Sequence, residues 1–355
     1  MIAEQQSRTG IPQDIHMRYM AVDLLVSGFL SLLLLLLLFF PSRFVAPGMV
    51  FDRLLISLGG YMAVLIVVRR SQAGVRAFLR ITALATLLMY LFDEMQHFQQ
   101  LLFSSWLDGI VLDAEAVIFG GNVVAMLEAL VHPYVTEGLM FTYVLYMPLL
   151  PGVAALLYFR SGHEALSDYL MNISLIFLVC FSGYVLFPVA SPMHFSPTSY
   201  TVPLEGGLFT WCGEWLRHNQ HYPGGSVPSA HCAAATGVLI MLRRHYKNGY
   251  FVFLPIVLLL YVATMYGRYH YLTDVVTGIL VGFLVVRVSP HLVMMLNGAL
   301  GHMRTYQIEP GIPVVENIPK APLSGRIRSM VAPPRHDTFL TEARTVNDST
   351  GGGTT

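Results

Sequence analysis

Charged side chains are scarce in this sequence. Only 12% of its 355 residues are Asp, Glu, Lys or Arg, whereas a typical soluble domain has roughly a quarter. Hydrophobic residues make up 55% of the chain, and its mean hydropathy is +0.59. These values exclude an ordinary soluble protein and predict an integral membrane protein surrounded by a bilayer. The formal net charge is zero at pH 7, so no overall basic charge suggests a nucleic acid partner.

Cysteine is rare as well, with only Cys180, Cys212 and Cys232 in the chain. Three cysteines cannot form the disulfide framework of a small secreted domain. Cys212 and Cys232 could pair if both face an oxidising compartment; otherwise they fill space as small apolar residues.

Long apolar stretches occupy most of the chain. Each is long enough, or nearly so, to cross the roughly 30 Å hydrocarbon core of a bilayer. The first has no small-residue cleavage site after it, so we expect a retained anchor rather than a signal peptide. Eight transmembrane helices are predicted, near residues 24–40, 50–68, 77–101, 139–159, 170–188, 229–243, 250–266 and 274–297.

Lys and Arg are absent from residues 93–138, and residues 189–229 contain only Arg217. Basic residues concentrate instead in 69–80 and 243–249. Short cytoplasmic loops carry the excess of Lys and Arg, so this distribution predicts that both termini are cytoplasmic. We expect a plasma (inner) membrane protein. The intervening segment 108–133 is apolar but interrupted by acids, which favours one or two helices lying at the outer interface.

Polar residues interrupt the apolar pattern at YGRYHYLTD, residues 266–274. If a helix begins near Tyr269, His270 and Asp274 lie four residues apart on one face. The carboxylate could then accept the imidazole Nδ1–H and leave Nε2 free as a nucleophile or base. Arg268 must sit on the incoming turn to point at the same centre.

A second polar cluster is HYPGGSVPSAHCAAATG, residues 221–237. Ser229 is a plausible N-cap, and Pro228 lies close to where a helix start favours proline. The free N–H groups and the positive end of such a helix favour an anion near Ser229 and His231.

One helical hairpin separates the two clusters. The chain crosses inward from His231, turns at the basic loop 243–249 and returns outward to His270, so both histidines are expected at the same membrane face. Two histidines, a carboxylate, an arginine and a helix N-terminus suit phosphoryl transfer. One His attacks phosphorus, the other protonates the leaving oxygen, and the cation and N–H groups hold the remaining oxygens.

The two clusters resemble motifs of the type 2 phosphatidic acid phosphatase superfamily. Its second motif, Pro-Ser-Gly-His, corresponds to PSAH (228–231), and its third, ending His-x-x-x-Asp, corresponds to RYHYLTD (268–274). The Tyr-His-Tyr and the segment 119–148 are similar to the inositol phosphorylceramide synthase-like (inositolphosphotransferase) branch. The resemblance implies a six-helix phosphatidic acid phosphatase-type bundle, within about eight transmembrane helices, that acts on a lipid or lipid-linked phosphate.

The resemblance also implies residue roles. His270 would form a phosphohistidine, Asp274 would orient it, His231 would act as general acid, and Ser229 and Arg268 would bind phosphate. No metal or other cofactor is implied. The expected domains are a two-span N-terminal extension (1–76), a phosphatase/phosphotransferase membrane domain (77–298) and a disordered cytoplasmic tail (299–355).

The basic first motif of that superfamily has no equivalent in the expected segment, GYVLFPVASPMHF (183–195), which contains no Lys or Arg. Nor does the third motif carry its usual arginine six residues before the histidine, where this chain has Thr264. We identify His194 as the nearby candidate for binding phosphate. A phosphodiester carries less charge than a monoester, so a cation-poor centre favours a transferase acting on a lipid diester.

Two other functions stay open. Glu94 with His97, and Glu128 with His132, have spacings that could place metal ligands on one helix face, as in a di-metal oxidoreductase. A non-catalytic lipid-binding scaffold of the same fold would account for the missing first motif.

Overall fold

The computed structural model describes residues 13–219 and 223–305. These residues form eleven α-helices and four short 3-10 helices, and contain no strand. The predicted tail lies outside the described residues from residue 306 onwards. The α-helices are α1 (Gln13–Phe39), α2 (Pro47–Arg70), α3 (Ala73–Glu94), α4 (Asp108–Phe119), α5 (Val123–Met126), α6 (Pro133–Leu186), α7 (Pro192–Phe195), α8 (Leu208–Asn219), α9 (Ala230–His245), α10 (Lys247–Tyr266) and α11 (Leu272–Thr305). The 3-10 helices are Pro41–Arg43, Met95–His97, Leu127–Leu130 and Pro197–Ser199.

Six helical segments of the described residues are long and apolar enough to cross a membrane. The predicted all-helical membrane architecture is therefore confirmed. Large apolar side chains such as Leu35, Ile56 and Phe78 are exposed on its outer surface, as expected where lipid replaces water. The six segments are Ile15–Phe39, Pro47–Arg70, Ala73–His97, Pro133–Leu186, Lys247–Tyr266 and Leu272–Leu296.

Helix α6 is broken at Gly162. Its 54 residues would extend about 80 Å if straight, far more than a bilayer needs. Gly162 has φ 77° and ψ −163°, a conformation that glycine adopts at little cost because it has no Cβ. The predicted stretches 139–159 and 170–188 lie on opposite sides of this break.

Helix α9 lies at the centre and packs against α6, α10 and α11. Its Ala233 is completely buried, and small residues there let neighbouring helices approach closely. A Cβ atom at Gly278 of α11 would lie 2.5 Å from the carbonyl oxygen of Ser229. This close approach brings the start of α11 beside the start of α9.

Cys232 on α9 and Cys212 on α8 are both free, so the disulfide that the sequence left open does not form. The buried Cys232 faces Thr264 instead.

The N-terminal helices contact the rest of the chain through buried polar groups. Arg80 of α3 forms a bidentate ion pair with Asp23 of α1, with N–O distances of 2.9 and 3.1 Å. Tyr61 of α2 donates to the same carboxylate at 3.0 Å. The predicted domain boundary at residue 76 falls in the first turn of α3, and stays a prediction.

Candidate active site

The histidines of the two motifs lie side by side. His231 is the second residue of α9, and His270 precedes α11 by two residues. The Nδ1 atom of His231 is 3.3 Å from the Nε2 atom of His270. The hairpin of α9 and α10 therefore brings the motifs together as predicted.

Asp274 lies behind His270. Its Oδ2 atom is 3.4 Å from His270 Nδ1 and accepts a hydrogen bond from the backbone N–H of Tyr271 at 2.8 Å. The expected helix start near Tyr269 is wrong, because α11 begins at Leu272. His270 still reaches the carboxylate because the turn before the helix folds over it. Asp274 is fully buried.

Ser226 is a site residue that the sequence analysis missed. Its hydroxyl donates to Asp274 Oδ2 at 2.6 Å and lies 3.4 Å from His270 Nδ1. Its place in the Gly-Gly turn that leads to the second motif is the signal that could have identified it. Gln99 holds this turn, since it accepts from Gly225 N at 2.8 Å. Gly224 has φ 117°, and a side chain there would collide with Gln99.

Ser229 caps α9, as predicted. Its hydroxyl accepts from Cys232 N at 3.3 Å, and its own N–H donates to the carbonyl oxygen of Asp274 at 3.1 Å. Both groups therefore have protein partners in a fully buried residue. A phosphate contact by Ser229 stays a prediction.

Arg268 sits on the turn before His270, but its side chain is held elsewhere. Its guanidinium pairs with Glu128 at 2.8 Å, donates to the carbonyl oxygen of Val202 and lies over the ring of Tyr200, 5.0 Å from the centroid. Arg268 has φ 64°, a conformation uncommon for non-glycine residues. Its predicted phosphate contact would require exchange of the Glu128 pair.

His194 lies near the histidine pair, in the segment where the basic first motif was expected. Its Nδ1 atom is 3.0 Å from the hydroxyl of Ser191. Partial burial, with a smaller effect from the charge of Arg217, lowers the pKa of His194 below its usual value of 6.5. The imidazole is therefore mostly neutral at pH 7 and adds little positive charge.

The acids of α4 support the site from behind. Asp108 accepts from the backbone N–H groups of Ala190 and Ser191 at 2.7 and 3.2 Å, and from the hydroxyl of Tyr271 at 2.9 Å. Glu115 accepts from the N–H of Thr273 at 2.8 Å. The expected helices in 108–133 are confirmed as α4 and α5, but these acids contact the site instead of merely interrupting an apolar surface. Their seven-residue spacing, two helical turns, is the signal that could have paired them.

A polar cavity of about 470 Å³ opens over the histidine pair. Among the residues the structure describes, its wall contains one Arg and no Lys, and that residue is Arg217, not Arg268. The position of Arg217 in this wall was not predicted, although Arg217 is the only Lys or Arg in 189–229. The lining consists of Phe92, Tyr143, Ser191, Met193, His194, Arg217, Gly224, Gly225, His231, Tyr269 and His270.

An apolar groove continues from this cavity between α3 and α6. A cavity of about 720 Å³ shares Phe92, Tyr143 and His231 with the polar cavity. A further cavity, of about 560 Å³, shares Leu88 and Met147 with the 720 Å³ cavity and extends to Ala85 and Ala154. Hydrocarbon walls therefore lead directly to the histidine pair.

The sequence matches the family model of the PAP2 superfamily over residues 111–288, about half of the chain. The chain belongs to the PAP2 superfamily. The matched region runs from α4 into α11 and includes both histidines and Asp274, whereas Phe92, Gln99 and Asp108 precede it. Members of the PAP2 superfamily are phosphoesterases or phosphotransferases, and an enzyme of this kind is supported here. The search of curated proteins and the search of solved structures each returned no match.

The two acids considered for a di-metal site pair with arginines. Glu94 pairs with Arg53 at 3.1 Å, and Glu128 pairs with Arg268 at 2.8 Å. Across residues 13–219 and 223–305, no group of three or more His, Cys, Asp or Glu is arranged to hold a metal ion. No observed geometry favours the oxidoreductase alternative.

Proposed function

We propose that this PAP2 superfamily protein is a membrane-bound lipid phosphatase or phosphotransferase that works through a phosphohistidine. The observation that carries the proposal is the continuous arrangement of Asp274, His270 and His231, with separations of 3.4 and 3.3 Å. A carboxylate, an oriented nucleophile and a second imidazole are the groups that a double displacement at phosphorus requires.

Each residue has one task in this mechanism. Asp274 accepts the Nδ1–H of His270, which leaves the Nε2 lone pair free to attack phosphorus. As the new N–P bond forms, the P–O bond to the leaving alcohol breaks, and His231 gives its proton to that oxygen. The oxygen of water or of an acceptor alcohol then attacks the phosphorus, the N–P bond breaks and frees His270 Nε2, and the attacking oxygen gives its proton to His231. The phosphorus atom must enter between the two imidazoles, so their separation increases when substrate binds.

The apolar groove supports a lipid substrate. Its walls are mainly Leu, Met, Phe, Ile and Ala side chains, with a few tyrosines, and continue for several helical turns from His231. Such a surface would bury hydrocarbon chains while the phosphate lies in the polar cavity.

The weak positive charge of the site supports a diester donor. Arg268 is paired with Glu128, and His194 is mostly neutral. Arg217 is the one Arg or Lys that the described residues contribute to the cavity wall. A diester carries one negative charge fewer than a dianionic monoester, so it needs fewer cations. We therefore favour transfer of a phospho-head group to or from a lipid, as in the inositol phosphorylceramide synthase-like branch.

We also propose eight membrane crossings, with the site on the extracytoplasmic face of the plasma membrane and both termini in the cytoplasm. Six segments are candidates for spanning helices. If α6 is counted as two helices divided at Gly162, and the 16-residue α9 is added, the number of crossings is eight. His231 lies at one end of α9 and Arg243, Arg244 and His245 at the other, about 18–21 Å away along the helix. The basic end favours the cytoplasm.

Trapping of the intermediate tests the proposal. The full chain, purified in detergent, is incubated briefly with phosphate-labelled lipids and quenched in alkali, which preserves phosphohistidine. We expect label on the wild-type protein, no label and at least a hundredfold lower turnover for His270→Ala, and unchanged labelling for His291→Ala, an exposed histidine elsewhere on α11. Unchanged turnover of His270→Ala would contradict the mechanism. Absence of label and turnover with every lipid tested would favour the non-catalytic scaffold.

A further inference from the structure

Helix α8 (Leu208–Asn219) carries the cation of the polar cavity. Consecutive residues of this helix, Leu216 and Arg217, line the apolar groove and the polar cavity, respectively. Its Gly213 packs against Met140 of α6 and lies near the hydroxyl of Tyr269. The helix is therefore positioned beside the point where the two cavities meet.

A carboxylate holds the start of α8. Glu137 of α6 accepts from the backbone N–H groups of Gly207, Phe209 and Thr210 at 2.7, 2.8 and 3.0 Å, and from the Thr210 hydroxyl at 2.8 Å. This satisfies N–H groups that a helix start otherwise leaves unpaired. Arg217 follows Thr210 by two helical turns, so the direction of its side chain depends on a fixed helix.

The opposite face of α8 is apolar and exposed. Leu208, Trp211 and Trp215 are 64%, 65% and 54% exposed and lie three and four residues apart, on one side of the helix. Tryptophan is enriched where membrane meets water. α8 thus has exposed tryptophans on one side, a composition typical of a membrane surface, and an arginine in the wall of the cavity.

Arg217 has the donors that a phosphate needs. Its guanidinium pairs with Glu214, one turn before it on the same helix. A guanidinium has five N–H donors in a planar fork and can bind two phosphate oxygens at once. The Glu214 contact therefore leaves donors available for an anion.

We infer that Arg217 is the phosphate-binding cation that compensates for the absent basic first motif. The inference rests on the proposed function, because it assigns the bound group as the substrate's phosphate. It assigns to α8, outside the recognised motifs, the charge that the segment 183–195 lacks.

The experiment compares Arg217→Ala and Arg217→Lys with wild type, using full-length protein in detergent. Two quantities are measured: the inhibition constant of inorganic phosphate and kcat/KM for a lipid substrate. We expect Arg217→Ala to raise the inhibition constant by about tenfold or more and to lower kcat/KM by roughly a hundredfold, the scale of losing one charged donor. Arg217→Lys should recover part of both losses. Arg160→Ala, an exposed arginine on α6, is the matched control and should match wild type.

Glu214→Gln separates phosphate binding from a structural ion pair. If Arg217 binds phosphate, removal of the competing carboxylate leaves the inhibition constant unchanged or lowers it. If Arg217 only stabilises α8 through Glu214, then Glu214→Gln weakens phosphate binding as much as Arg217→Ala does, and the inference is wrong. Should Arg217→Ala fail to fold, Arg217→Lys and Glu214→Gln decide the question.

The test of Arg217 can fail independently of the test of the phosphohistidine mechanism. Loss of turnover in His270→Ala, together with unchanged phosphate inhibition in Arg217→Ala, overturns the role of Arg217 and leaves the phosphohistidine mechanism standing. Full turnover in His270→Ala overturns the mechanism, whereas weaker phosphate binding in Arg217→Ala still supports the anion site.

Discussion

Several donors meet at one carboxylate oxygen of Asp274, the residue proposed to orient His270. Its Oδ2 atom accepts from Ser226 and from the N–H of Tyr271, and it faces His270 Nδ1. A buried carboxylate without such donors would carry a large desolvation cost. The hydrogen bonds to Oδ2 offset part of that cost and hold the carboxylate in place.

Ser226→Ala tests this arrangement. Removal of the 2.6 Å hydrogen bond should lower kcat by about 10- to 150-fold, since a hydrogen bond to a charged group contributes about 1.5–3 kcal/mol. KM should change little, because Ser226 is not in the wall of the polar cavity. Steady-state kinetics of the purified protein measure both. Ser31→Ala, on the exposed surface of α1, should behave as wild type. An unchanged kcat in Ser226→Ala would show that Asp274 is oriented without the serine.

At the scale of elements, α3 and the two arms of α6 form the groove that leads away from the histidines. Its cavity beside the histidines has Phe92 and Tyr143 in the wall, and its distal cavity includes Ala85 and Ala154. The far end should therefore limit the length of hydrocarbon chain that the protein accepts.

Ala85→Trp should reduce the maximum length of hydrocarbon chain that the protein accepts. The indole would occupy part of the distal cavity and narrow it, so kcat/KM for long-chain phospholipids should fall about tenfold while short-chain substrates are turned over as before. Thr86→Trp is the matched control, because Thr86 is exposed on the outer surface of α3. Parallel assays with lipids of increasing chain length make the measurement. An equal loss for every chain length would contradict a role for this end of the groove.

At the scale of the whole molecule, polar contacts inside an apolar fold join α1 and α2 to the superfamily domain. Asp23 and Arg80 form a bidentate pair of which only small fractions are exposed, and Tyr61 donates to the same carboxylate. The match to the PAP2 superfamily begins only at residue 111, so these helices support the domain from outside the matched region.

Asp23→Leu should destabilise the fold by about 3–5 kcal/mol, because it leaves the buried Arg80 charge without a partner. The double variant Asp23→Leu/Arg80→Met should recover most of that loss. Thermal unfolding of the purified protein measures both, and Asp52→Leu, at an exposed position of α2, should change the Tm little. If the double variant is as unstable as the single one, the pair itself stabilises the fold.

Much of this arrangement is determined by the sequence alone. Hydropathy predicts the helical membrane architecture because each apolar stretch must satisfy its own backbone hydrogen bonds in lipid. Local turn chemistry predicts Ser229 as the cap of α9. One hairpin between the motifs is enough to bring His231 to His270, and the four-residue spacing brings Asp274 to His270 even though α11 begins later than expected.

The tertiary structure alone decides which cations and donors reach the site. Arg268 adjoins the third motif, yet the backbone at φ 64° directs it to Glu128, which is 140 residues away in sequence. Asp108 contacts Tyr271 across 163 residues, and Arg217 reaches the cavity because Glu137 fixes the start of α8. Such contacts depend on how distant segments pack, and no local pattern encodes them. A side chain's direction is set by its own backbone and by neighbours contributed from elsewhere in the chain, which is why the reactive groups were recognisable from the sequence and their supporting charges were not.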